Sequence, residues 1–104
     1  MVYYGNKTYE EKKMMKTINT TNKGAEYFEL LTNESEAMQK NNWAIIEILG
    51  FVDFEPVIAD DEANLYKNFT VEYALEFDVE KYPDEQTWNK LIAHGLMQIV
   101  EIEE

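Results

Sequence analysis

Few residues in this chain could do chemistry. It holds one histidine, His94, and no cysteine, which leaves no thiol nucleophile, no disulfide framework and no Cys/His zinc set. His94 stands beside Gly95 in what reads as the last turn of a helix, where an imidazole complements the helix dipole, and nothing near it resembles a nucleophile elbow. Asp60-Asp61-Glu62 with Asn64 offers oxygen ligands. A calcium loop begun at Asp60, however, would need its glycine at Leu65 and its closing glutamate at Val71. The glycines at 5, 24, 50 and 95 are isolated, so no Gly-rich phosphate cradle forms. The Asn-X-Ser/Thr matches at Asn6, Asn19, Asn33 and Asn68 follow from an Asn- and Thr-rich composition. The expectation is a protein that is not an enzyme, with no catalytic residue, cofactor or metal.

What remains is carboxylate. The 104 residues include 21 acids against nine basic residues, a net charge of −12, and every basic residue is a lysine. Without arginine there is no planar fork for phosphate or guanine, so direct nucleic-acid binding is disfavoured by both charge and residue type. The acidity is also lopsided: residues 1–52 hold seven acids and six lysines, residues 53–104 fourteen acids and three lysines. Self-repulsion of this size costs stability, which solubility or steering toward a cationic partner would offset.

These carboxylates need elements to position them. Residues 69–78 read as the clearest strand, with Phe69, Val71, Tyr73, Leu75 and Phe77 on a core face and Glu72, Glu76 and Asp78 on the wet face, consecutive same-side positions lying about 6.6 Å apart. Neighbouring strands would add Asp53 and Glu55, or Glu101 and Glu103, and the turn at Asp60, Asp61 and Glu62 would extend the acidic face. Such a lattice would imitate a phosphate backbone. The plain alternative is a wet sheet face charged against edge pairing.

Elsewhere, Thr8 with Glu11 reads as a capping box ahead of Met14, Met15 and Ile18, giving a helix over 9–18 and then a polar loop over 19–24. Tyr27, Phe28, Leu30 and Leu31 recur at helical spacing, and Asn33 with Glu36 offers an N-cap pair before Met38, so one interrupted helix or two fill 25–41. Residues 43–49 could continue that helix or form a strand with a bulge at Gly50. The β-branched Ile45, Ile46 and Ile48 favour the strand, with extended chain from Phe51 to Val57. Pro83 suits a first helical turn, Asp84 and Glu85 complement its dipole, and Trp88, Leu91 and Ile92 make a stripe ending at Gly95. Leu96 to Ile102 returns as a strand. The order predicts a single acidic α+β domain over 1–104: N-terminal helices packed on an antiparallel sheet of three to four strands, with one further helix before the last strand.

No stretch has the apolar core of a signal peptide or the length of a membrane span, which makes the cytoplasm of a bacterial host the expected compartment. In size, charge and architecture the chain resembles the small acidic inhibitors of phages and mobile elements, of anti-CRISPR and antirestriction type. The resemblance covers the whole chain and rests on no diagnostic motif. It implies a protein that occupies a nucleic-acid channel of an enzyme, typically a CRISPR effector nuclease, without doing chemistry. Two other readings fit the composition: an immunity protein that neutralises a basic toxin nuclease, and a regulatory or structural interaction module that uses Tyr3, Tyr4, Trp43 and Tyr66.

Overall fold

In the computed structural model, residues 14–103 are described. They fold as an α+β structure with a three-stranded antiparallel sheet in the order β2-β1-β3 and five helices. The central strand, β1 (Met14–Thr20), pairs along its length with β3 (Met97–Glu103), with Lys16 opposite Glu101 and Thr20 opposite Met97. On its other side Lys16 and Thr17 face Ala59 and Ile58 of the two-residue β2 (Ile58–Ala59). The helix expected over 9–18 is therefore a strand from Met14 onward, and its capping box at Thr8 and Glu11 lies outside the described residues. Thr17, Ile18 and Thr20 are β-branched, and the sheet uses both faces: Ile18 enters the core while the Thr17 hydroxyl donates to Val57 O at 2.7 Å.

The polar run 19–24 is not a loop either. Thr21 caps α1 (Asn22–Thr32), accepting the Gly24 amide at 3.0 Å. A Cβ on Gly24 would collide with Leu96 O, so only glycine lets α1 sit this close to the start of β3. α2 (Glu36–Asn41) follows as expected, but its cap is Ser35, which accepts from Met38 N, while Asn33 ends α1 by donating to Glu29 O.

Residues 43–54 form α3 (Trp43–Phe54), against the strand expected for 43–49 and the extended chain expected after Phe51. Ile48, Leu49, Phe51 and Val52 are all buried, because α3 runs through the middle of the molecule against α1, β1 and α5 (Glu85–Ala93). A helix apolar on nearly every side has no polar face to betray its period. Gly50 is helical rather than bulged and lies under the Phe28 ring.

The largest correction is α4 (Ala63–Phe77), a helix of 15 residues where a strand over 69–78 was expected. Leu65, Phe69 and Tyr73 are buried, whereas Val71 and Leu75 are 52% and 74% exposed. Phe69, Tyr73 and Phe77 recur every four residues, a spacing that fits both a strand face and a helix face. The core face is settled by Leu65 one turn upstream. Phe51, Phe69, Tyr73, Tyr66 and Trp88 interlock here, with Phe69 and Trp88 centroids 4.9 Å apart and Phe51 and Phe69 edge-on at 5.6 Å.

α5 and β3 form as expected. The Asp84 carboxylate accepts the Thr87 amide at 2.8 Å, with Pro83 one residue before this cap. Trp88 and Leu91 are buried. Gly95, at φ 78°, and Leu96 return their amides to Ile92 O and Leu91 O, closing the helix in a Schellman turn that leads into β3.

Candidate interaction surface

The ten carboxylates expected to form one face divide into three groups. Glu101 and Glu103 lie on β3, far along the chain from the rest. The Glu101 carboxylate meets Lys16 Nζ at 2.7 Å across the β1–β3 pair. This contact holds the Glu101 carboxyl below its usual range and raises the Lys16 ammonium. Glu103 also has an interaction partner.

Asp60, Asp61 and Glu62 form the turn between β2 and α4. Asp61 accepts the Asn64 amide at 3.0 Å, which starts the helix, and Asp60 is also engaged. Among the described residues no set of three or more His, Cys, Asp or Glu side chains is placed to hold a metal ion.

Three of the remaining acids share one helix. Glu72 and Glu76 are exposed one turn apart on α4, and Asp78 is its C-cap. They do not belong to a sheet, so the lattice across neighbouring strands does not form. None of the three makes a salt bridge with a described residue, and the last turn of α4 carries no basic side chain. Asp53 and Glu55 end α3, whose last turn is equally without a base.

Phe54 and Phe77 join these two helix ends. Both line an open groove of about 260 Å³ together with Phe28, Ile46, Glu47, Gly50 and Phe51. Phe54 is 68% exposed and Phe77 48% exposed, so Phe77 is a rim residue rather than the core residue the strand reading made it. In sequence each ring stands between two acids: Asp53-Phe54-Glu55 and Glu76-Phe77-Asp78. Glu47, in the groove wall, accepts the Tyr73 hydroxyl at 2.7 Å. Burial first, and then this hydrogen bond, push the Tyr73 phenol well above its ordinary range. The sequence reading missed Glu47, Phe54 and the rim role of Phe77. The two acid–Phe–acid triplets were the available signal.

The aromatic set expected to be on the surface is only partly there. Trp43 is exposed, Tyr3 and Tyr4 lie outside the described residues, and Tyr66 is structural. Its hydroxyl donates to Pro83 O at 2.8 Å and its ring packs edge-on against Trp88. His94 is the C-cap of α5, and its carbonyl accepts Lys23 Nζ at 3.0 Å. Lys23, Lys90 and His94 thus gather where a helix end favours positive charge. No described helix is long and apolar enough to cross a membrane. Comparison with protein-family profiles, curated proteins and solved structures returns no match.

Proposed function

We propose that this chain is an acidic binding protein that occupies the basic, nucleic-acid-binding surface of an enzyme, with a CRISPR effector nuclease as the partner class its likeness to small mobile-element inhibitors implies. One observation carries the reading. Glu72, Glu76 and Asp78 crowd the C-terminal half of α4, where the helix dipole is itself negative and no lysine among the described residues pairs with them. Like charges one turn apart cost about 0.2–0.5 kcal/mol, and negative charge at a helix C-terminus adds a similar amount. An arrangement that weakens the free protein is accounted for when a cationic partner receives it. α4 spans about 22 Å, long enough to lie along a groove that otherwise holds a nucleic-acid strand.

The test is competition. Increasing concentrations of the protein should displace target nucleic acid from a purified, guide-loaded CRISPR effector, and association should slow as salt shortens the Debye length from about 10 Å at 0.1 M. Joint replacement Glu72→Lys and Glu76→Lys should weaken binding about a hundredfold and leave the melting temperature unchanged or raised, since both side chains are exposed. Binding indifferent to salt and to this reversal would overturn the reading.

A further inference from the structure

A cavity of about 500 Å³ opens where α1, the start of α3 and the end of α5 meet, and it shares no lining residue with the groove between α3 and α4. Its lining runs against the composition of the chain. With 21 acids to nine lysines a typical surface of this protein is acidic, yet no carboxylate lines the cavity, while Lys23, Lys90 and His94 all do. Neither lysine forms a salt bridge with a described residue. Lys23 is held in place by one hydrogen bond, from its Nζ to His94 O at 3.0 Å, which leaves two of its three ammonium protons for another acceptor. The rest of the lining is largely apolar: Leu91 and Leu96 are buried, and Tyr27 and Ile45 are half-buried.

We infer that this cavity binds a small organic phosphate monoester, its dianionic head held by Lys23, Lys90 and the His94 ring and its apolar body laid on Tyr27, Ile45, Leu91 and Leu96. The inference goes beyond the acidic-binding reading above and does not depend on it. The volume falls within the ~300–1,000 Å³ usual for small-molecule sites, more than a bare inorganic ion would fill. Two ammonium groups from separate helices match the two charges of a phosphate monoester, and lysine serves phosphate as a point charge where arginine is lacking. The imidazole adds a ring N–H donor in either tautomer. Ala44 and Ile45 bring the first turn of α3 to the lining, a turn without an acid, and its N-cap Asn42 makes no side-chain cap hydrogen bond, so the positive pole of that helix adds to the lysines. The net charge of −12 opposes an anion only weakly here, because carboxylates beyond the Debye length of about 8 Å at physiological salt are largely screened. A cationic ligand would meet two like charges.

The experiment is a titration of the isotope-labelled full chain, followed by amide NMR shifts, with phenyl phosphate, inorganic phosphate, benzoate and benzyl alcohol. Phenyl phosphate should move the amides of Lys23, Tyr27, Ala44, Ile45, Lys90 and His94. Inorganic phosphate and benzoate should each bind about tenfold more weakly, the first lacking the apolar body and the second one charge, and benzyl alcohol should not bind. Lys90→Gln should weaken phenyl phosphate about tenfold and Lys90→Arg should restore it, whereas Lys67→Gln, which removes an exposed lysine of α4, should change nothing. Lys90 is the residue to replace because it is exposed, while Lys23 also ties α1 to the end of α5. Equal binding of inorganic phosphate would remove the apolar subsite and overturn the proposal, and equal binding of benzoate or benzyl alcohol would overturn the phosphate assignment. Equal losses in Lys90→Gln and Lys67→Gln would mean that only net charge is sensed. Absence of shifts at these amides with millimolar phenyl phosphate would overturn the site itself.

Discussion

α5 and α4 solve the same problem in opposite ways. α5 begins on a capping aspartate with Glu85 in its first turn, ends with Lys90, and closes through a glycine in the left-handed conformation, with Lys23 reaching across to its last carbonyl. Every charge opposes the pole it sits on. α4 also starts on an aspartate, Asp61, which accepts the Asn64 amide, but it holds no base in its last turn and ends with Asp78 in the left-handed conformation at φ 51°. There a glycine would be unstrained and a cation welcome. Both helices are anchored by buried aromatics, so the difference lies in their outward faces. The charges of α5 serve the fold at both ends, whereas Glu72, Glu76 and Asp78 of α4 form no salt bridge with a described residue.

If that contrast is right, the two helices should answer alike to damage at the core and differently at their ends. The largest effects come from the anchors: Phe69→Ala on α4 and Trp88→Ala on α5 should each cost about 3–5 kcal/mol in denaturant melts. A loss at Phe69 much smaller than at Trp88 would mean that α4 is loosely held and its charges are tolerated for that reason. Next come the two left-handed residues, whose replacements should move stability in opposite directions. Gly95→Ala should lose about 1 kcal/mol, whereas Asp78→Gly should gain about 1 kcal/mol while weakening partner binding. Loss of stability in Asp78→Gly would remove the functional explanation for that aspartate.

A smaller effect separates the helices by pH. The backbone amide of Thr87, then its hydroxyl, hold the Asp84 carboxyl below its usual range. A carboxyl whose folded pKa is depressed stabilises the protein above its unfolded pKa and loses that contribution as pH falls through the folded value. Acid melts of Asp84→Asn should therefore be flatter below about pH 4 than those of the unaltered chain, since asparagine keeps the cap without the charge. The smallest effect belongs to the groove rim: Phe54→Ala should change stability by no more than about 0.5 kcal/mol.

The same contrast explains what could be read from the chain. α5 was legible at both ends because Asp84, Gly95 and the Trp88–Leu91 stripe agree with one another. β3 followed from its position after that stop. α4 was misread because Phe69, Tyr73 and Phe77 recur at a multiple of both two and four, and Val71 and Leu75 between them completed the alternation of a strand. α3 failed for another reason, since burial on nearly every side erases the polar face that marks a period. In β1, Met14, Met15 and Ile18 happened to match helical spacing. The charge asymmetry between the halves was plain, but without the correct elements it could not say which acids meet. Phe54 and Phe77, far apart in the chain, share one groove only because α3 and α4 are both helices.

The pairing of β1 with β3 has a consequence for how the chain is made. β1 is synthesised before the five described helices and β3 after them, so Lys16 must wait for Glu101 through every helix between them. At about 5–20 residues per second, β1 spends roughly 4–15 s on the ribosome with most of its backbone groups unpaired along that side. Helices fold locally and need not wait. The nascent protein is therefore a set of forming helices trailing an unsatisfied strand, and the sheet closes as a single late, non-local event. The isoleucine and methionines of β1 are the segment most open to mispairing during that interval, and Lys16 within it is the charge that discourages it.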